Sequence, residues 1–188
     1  MCSCGYAANE EKASIKISDD QNTDVLNIEK VETNGLKTID ELSNFFNMPK
    51  KHFIKSVFYI GINKEKNDVP FIAFTRGDLE INEVKLANLS NLTHLRQMSE
   101  EETKKYNIVS GYAGPHKLKS DILSIADDSL SNSFNLIAGA NEENSHYKNI
   151  NFKRDWNADI SGDIKLAKEG SLCHLCGKKL ELKRGIEL

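Results

Sequence analysis

No apolar run in this 188-residue chain approaches the roughly 20 residues of a membrane span, so no membrane segment is predicted. The N-terminus lacks a basic start followed by an apolar stretch, so no signal peptide is read and a reducing cytoplasm is the expected compartment. Positive charge is not in excess either. Against 25 Lys and Arg stand 28 Asp and Glu, a formal net charge of -3. That balance excludes the broad basic footprint of a DNA-binding protein and restricts any RNA contact to a local patch. There is no internal repeat, no GxSxG elbow and no convincing Cys–His pair, so a strong side-chain nucleophile is not indicated.

What is present is enough apolar material, 39% of residues, for one substantial core with an appended flank. Residues 2–34 are polar and weakly patterned, with a loop expected over Ser18–Asn22, and read as a connector. Thr38 and Glu41 have capping-box spacing, followed by Ile39, Leu42, Phe45 and Phe46 at helical intervals, so a helix is predicted to about Asn47. Pro49 suits the first turn of another. Strands are expected at Ser56–Ile62 and Val69–Thr75, with a turn at Arg76-Gly77-Asp78, then a helix from Asn82 to about Leu89. A strand at His94–Met98, a helix capped by Ser99 and Glu102, and strands at Ile122–Ala126, Phe134–Ala138 and Tyr147–Phe152 complete a mixed α/β or α+β pattern.

Several residues could carry chemistry. Lys55 stands where a helix gives way to an apolar strand, although composition alone makes it a solvated surface lysine. Gly111-Tyr112-Ala113-Gly114-Pro115 can expose successive backbone N–H groups in a concave turn, as an anionic or carbonyl oxygen requires, or can be an ordinary connection. Lys117 and Lys119 give it a local positive rim. Asp127 and Asp128 end an apolar strand, where either could cap the next turn. His146 follows the Gly139-Ala140-Asn141 turn and could equally be a partly buried polar residue.

Four cysteines in a reducing compartment are thiols or metal ligands rather than disulfides. Cys173-His174-Leu175-Cys176-Gly177 is half of a zinc knuckle. Cys2 and Cys4, with one intervening residue, form a weaker partner pair. A structural zinc on Cys2, Cys4, Cys173 and Cys176, with His174 as a substitute ligand, is therefore set against free thiols in a connector. A catalytic zinc has no open-position ligand set to support it.

Motifs along the whole chain are similar to one family. A Cys-bearing GYAAN-x-E-KA segment at Gly5–Ala13, Lys55-Ser56-Val57, the RGD-x-E-x-NEVK run at Arg76–Lys85, the GxxxP loop at Gly111–Pro115, the block D-x11-GAN-x4-H-x4-NF-x-RD from Asp127 to Asp155, and the CxxCG and RGIE segments resemble the editing insertion of bacterial prolyl-tRNA synthetases. Ser56 stands where Thr is commoner. The flanks read as the edges of a larger protein. The resemblance implies a YbaK-type fold, a strongly curved mixed sheet flanked by helices, with residues 1–34 and 159–188 as connectors around an editing domain at 35–158.

It further implies hydrolysis of the ester of mischarged Ala-tRNA(Pro), without a cofactor. ATP and Mg would serve only a parent synthetase core, which this chain lacks. The implied partners are the tRNA(Pro) 3′ acceptor end and that core, in a homodimeric parent. Lys55 would anchor the terminal adenosine or phosphate region and the Gly111–Pro115 backbone would organise ester and water. Asp127, rather than Asp128, would receive the substrate ammonium. His146 would limit pocket size, and Lys85 would shape or bind at the rim. The alternative is a non-catalytic insertion that stabilises the synthetase or docks the acceptor end. A free-standing deacylase of the same fold is disfavoured by the flanks.

Overall fold

A computed structural model describes residues 1–17, 24–118 and 122–183. The expected loop at Ser18–Asn22, Lys119 and the RGIE segment at Arg184–Glu187 lie outside the described residues. The chain's longest β-branched and aromatic runs form an antiparallel hairpin, β2 (Ile54–Ile62) with β3 (Asp68–Arg76), in which Lys55 faces Thr75 and Phe58 faces Ile72. Around it are β1 (Glu29–Glu32), α1 (Ile39–Phe46), α2 (Glu83–Ser90), β4 (Thr93–Gln97), α3 (Glu100–Lys105), β5 (Leu123–Asp127), β6 (Leu136–Gly139), β7 (Ser145–Ile150) and β8 (Ile160–Gly162).

A five-stranded sheet has the order β4-β2-β3-β5-β8, and a three-stranded sheet the order β1-β7-β6. The first is mixed, because β5 runs parallel to β3 and β8 parallel to β5 while the remaining pairs are antiparallel. A parallel bridge from Phe53 to Ile137 joins the two sheets at the start of β2. Successive strand residues point to opposite faces, so β3 feeds two cores. Ile72 and Phe74 pack between the sheets with Ile54, Ala126, Leu136, Ala138 and Ile150. Phe71 and Ala73 pack on the other face with Tyr59, Ile125, Ile164 and Leu86 of α2. The mixed α/β class expected from the sequence is borne out, with the curved sheet divided in two at that bridge.

The helix boundaries follow local chemistry. Thr38 with Glu41, and Ser99 with Glu102, form the two expected capping boxes, and the Asn82 side chain accepts from the Val84 and Lys85 amides. Helices α1 and α2 end on left-handed Asn47 and Asn91, a conformation that asparagine tolerates better than most residues. Pro49 precedes only a 3-10 turn at Lys50–His52.

The sheets reach into both segments read as connectors. Strand β1, sequence EKVE, is a largely exposed edge strand with Val31 half-buried opposite His146 of β7. Strand β8 has only three residues and an intermediate–exposed–intermediate pattern. Neither carries an apolar alternation that would mark it, because its pairing is supplied by the strand beside it.

The two flanks meet. Met1 and Glu181 exchange two hydrogen bonds, Lys16 N–H donates to Leu172 O at 2.8 Å, and Cys2, Cys173 and Leu180 form a satellite core with Tyr6 and Ile15. Lys85 ties this stem to the body. Its buried ammonium donates to Ala13 O at 2.7 Å, Lys165 O at 2.9 Å and Asp163 Oδ2 at 3.1 Å, which uses all of its donors. Lys85→Met keeps most of the stem's bulk but strands three acceptors, so it is expected to cost about 3 kcal/mol in urea unfolding. Lys64→Met, in the exposed β2–β3 turn, should cost less than about 0.5 kcal/mol. Equal values would show that the Lys85 contacts contribute nothing.

Candidate active site

The Gly111–Pro115 loop is held backbone against backbone on the end of β6. A Cβ on Gly114 would lie 2.1 Å from Gly139 O, and one on Gly139 would lie 2.1 Å from Tyr112 O, so the crossing is open only to glycine at both positions. Gly111 itself has φ +84°. Asn141 fastens the crossing from beside it. Its Oδ1 accepts from Gly114 N–H at 3.0 Å, its Nδ2 donates to Gly114 O at 3.0 Å and His116 O at 2.8 Å, and its own N–H donates to Tyr112 O at 2.8 Å. From the opposite sheet Ser56 Oγ donates to Ala113 O at 2.9 Å.

These anchors decide which donors remain. Tyr112 N–H is taken by Val109 O, Gly114 N–H by Asn141, and Pro115 has none. Gly111 and Ala113 N–H groups have no acceptor among the described residues. The loop thus offers alternate amides where the sequence suggested successive ones.

Beneath the loop is a cavity of about 90 Å³, lined by Gly111, Ala113, Gly139, His146, Lys37, Lys55 and Ser56 together with apolar residues of α1, β2 and β6 and Phe53. It is far smaller than the roughly 300–1,000 Å³ of drug-sized pockets. The β6–β7 register places His146 opposite Gly139, and only 3% of the histidine is exposed. Its Nδ1 is 2.6 Å from Thr33 Oγ1, itself fully buried, while Nε2 has no partner among the described residues. Burial lowers its pKa to about 4, so the ring is neutral near pH 7. Lys55, half-buried on β2, donates from Nζ to Leu79 O at 2.6 Å. Burial lowers its pKa, with Lys168 acting in the same sense and Glu80 and Asp78 opposing.

A larger cavity, about 600 Å³, lies beside Pro115, Phe74, Leu118 and Asp159 and includes neither Lys55 nor His146. We place the candidate chemistry in the smaller one, which the glycine loop and His146 line together with Lys55.

Asp127 is not among the residues lining the smaller cavity. It lies across β3 from Lys55, with Oδ1 accepting from Ser129 N–H and Oδ2 from Ile164 N–H, both at 3.0 Å, and Lys165 Nζ 3.8 Å away. Burial raises its pKa against the pull of Lys165 and these donors. Asp128 pairs with Lys165 at the surface side of the same network, and Asp163 bridges Lys165 to Lys85. The structure therefore brings His146 and the glycine loop together at a cavity that Lys55 also lines. Strand alternation and the bond to Leu79 O turn the Lys55 ammonium toward the α2 face. Asp127 and Lys85 belong to a separate polar network on that face. The four cysteines form a third cluster, their sulfur atoms all within 4.8 Å of one another.

Sequence reasoning missed Thr33, which orients His146, and Asn144, which accepts from the Tyr112 hydroxyl and the Gly35 amide. Thr33 sits in a polar stretch without periodicity; the Asn34-Gly35 turn after it was the available signal.

The lowered His146 pKa has a stability consequence. The unfolded chain takes up this proton first, near its ordinary 6.5, so the contribution is complete above that pH and is lost as pH falls toward about 4. An NMR titration of the His146 ring is expected to show a midpoint near 4; a midpoint near 6.5 would show that burial does not control this group.

The aminoacyl-tRNA editing domain family matches residues 33–155. A proline–tRNA ligase of Dehalococcoides mccartyi is 42% identical over 185 residues, covering 98% of this chain and 32% of the relative. One of Brachyspira hyodysenteriae is 41% identical over 192 residues, covering 100% of this chain and 32% of the relative. The chain thus spans about a third of the length of these relatives. A solved structure proposed to be a trans-editing enzyme for prolyl tRNA synthetase has a TM-score of 0.54 at 16% identity, over 64% of this chain and 74% of that one, which supports the shared fold. With the family match covering β2 to β7 and the whole cavity between them, the chain belongs to the aminoacyl-tRNA editing domain family, in the form found in proline–tRNA ligases.

Proposed function

We propose that this chain is the editing module of a proline–tRNA ligase and hydrolyses the ester that joins alanine, mischarged, to tRNA(Pro). The observation that carries this reading is the small cavity shared by the glycine loop, His146 and Lys55. A synthetic site sized for proline excludes the smaller alanine poorly, since each missing methylene is worth only about 1–3 kcal/mol, and a second sieve that admits alanine and rejects proline supplies the discrimination.

In this reading water attacks the ester carbonyl and the oxyanion of the tetrahedral intermediate is met by the Gly111 and Ala113 amides. The C–O bond to the tRNA breaks as the proton given up by the water passes to the departing oxygen, which releases free alanine and a tRNA hydroxyl. Because the ester is already activated, positioning and charge stabilisation suffice and no cofactor is required. Lys55 anchors the tRNA 3′ end by charge. His146, neutral and fixed by Thr33, forms a wall of the sieve. Asp127 holds the ends of β5 and the segment after β8 in place, because both its oxygens are already committed there. Lys85 holds the stem. The ligase core is the proposed partner in the whole protein.

The test is single-turnover deacylation of Ala-, Pro- and Cys-charged tRNA(Pro) by this chain and by a proline–tRNA ligase carrying it. Loss of the alanyl ester with the prolyl ester spared is expected. Lys55→Ala should remove most of the activity while leaving the fold intact, and His146→Ala should begin to cleave the prolyl ester. Background loss of both esters in the ligase would reject hydrolysis in favour of a binding or stabilising insertion. Parental turnover in Lys55→Ala would reject the anchoring role.

A further inference from the structure

We propose that Cys2, Cys4, Cys173 and Cys176 bind one structural zinc ion that clamps the two flanks of the domain together. The four Sγ atoms come from opposite ends of the chain yet all lie within 4.8 Å of one another. Cys2 Sγ is 3.4 Å from Cys176 Sγ, and Cys4 Sγ is 3.8 Å from Cys173 Sγ. A tetrahedron with Zn–S arms of 2.3 Å has edges of about 3.8 Å, so this spacing is that of a tetrathiolate shell. It is much longer than the roughly 2.05 Å of a disulfide, and all four cysteines are free.

The backbone is shaped for the same purpose on both sides. Each cysteine pair ends on a glycine in the left-handed region, Gly5 at φ +94° and Gly177 at φ +72°. Gly5 N–H returns to Cys2 O at 3.0 Å and Gly177 N–H to Cys173 O at 2.8 Å, closing two tight turns that aim both sulfurs of a pair the same way. The one-residue spacing of Cys2 and Cys4, weak as a motif, forms such a turn as well as the two-residue spacing does. His174 is not needed as a substitute. Its ring packs edge-on against Tyr6 at 4.5 Å, with Nδ1 3.3 Å from Ser14 O.

Four thiolates complete a tetrahedral shell and leave no position for water or substrate, so the ion is structural. Soft sulfur donors in this geometry select zinc or iron; zinc, which has no redox change, suits a clamp. The clamp also has a route into the body. Ser14, beside the cluster, donates from N–H to the Tyr6 hydroxyl at 2.8 Å and from Oγ to Asp163 Oδ2 at 3.1 Å, the oxygen that also receives Lys85. Holding the flanks together thus holds the network on which Lys85, Lys165 and Asp127 depend. This inference is independent of the proposed ester hydrolysis.

Metal analysis of the intact chain purified without chelator is expected to give one zinc per molecule, and Cys4→Ser/Cys176→Ser to give none. Since that variant could fail to fold, the zinc-free wild-type chain is also titrated with cobalt(II). A single-equivalent, saturable ligand-field and sulfur charge-transfer spectrum of tetrahedral tetrathiolate cobalt, displaced by zinc, is expected, together with a rise in unfolding temperature and protection of residues 1–17 from protease. Absence of metal uptake with four titratable thiols would overturn the proposal. So would fewer than four thiols in the unfolded, metal-free chain, which reports disulfides, and so would iron at the site in place of zinc.

Discussion

The cavity exists because two side chains do not. Gly114 and Gly139 let a loop cross a strand end at a distance at which a Cβ on either would sit 2.1 Å from a carbonyl oxygen of the other segment. Such a contact cannot be relieved by a rotamer change, since both partners are main chain. The same Gly139 faces His146 across the β6–β7 pair, so one register fixes both the floor and a wall of the pocket. Asn141 then sets the loop's orientation. Its amide accepts once and donates twice, a combination that a carboxylate, an acceptor only, cannot reproduce. That leaves Gly111 and Ala113 as the donors still available.

Strand alternation separates the polar residues of this domain into two groups with different physics. On the inter-sheet face, Ser56 binds the loop and His146 is buried and neutral near pH 7. On the α2 face, Asp127, Asp163, Lys85 and Lys165 satisfy one another and several backbone groups. A buried ion costs several kcal/mol in lost hydration, and removing one partner from such a set leaves an uncompensated charge. The second group therefore holds the strand ends and stem in position, while the first lines the pocket. Loss of activity in an Asp127 variant would be expected on either account, and only a stability measurement made alongside distinguishes them.

The legible parts of this fold are those encoded locally. Capping boxes at Thr38 and Ser99, the β2–β3 hairpin and the helix begun by Asn82 each carry their own signal within a few residues, and they stand where the sequence placed them. Strands β1 and β8 do not, because EKVE and ISG become strands only through the neighbours they pair with. The site divides likewise. Lys55, His146 and the glycine loop were found through motif spacing and all line one cavity, whereas motif spacing said nothing about the direction in which Lys55, Asp127 and Lys85 point. Direction depends on strand parity and on acceptors such as Ala13 O, some seventy residues distant. Thr33 was hidden for a related reason: a threonine's value here is one hydroxyl placed against Nδ1 by a turn and an edge strand.

A neutral His146 constrains any chemistry in the cavity. With its pKa lowered to about 4, the imidazole is a weak base, and little driving force remains for it to take a proton from water. An imidazolium in so small a space would also repel the ammonium of an aminoacyl ester, an interaction that low dielectric makes strong. Neutrality removes that repulsion. In the proposed hydrolysis it would leave an uncharged wall, so that discrimination by size would not compete with attraction for the substrate's charge. Rate enhancement in that hydrolysis would then fall to groups whose polarity needs no proton transfer. The Gly111 and Ala113 amides are such groups, held in place before a substrate arrives by Asn141, Ser56 and the glycine crossing.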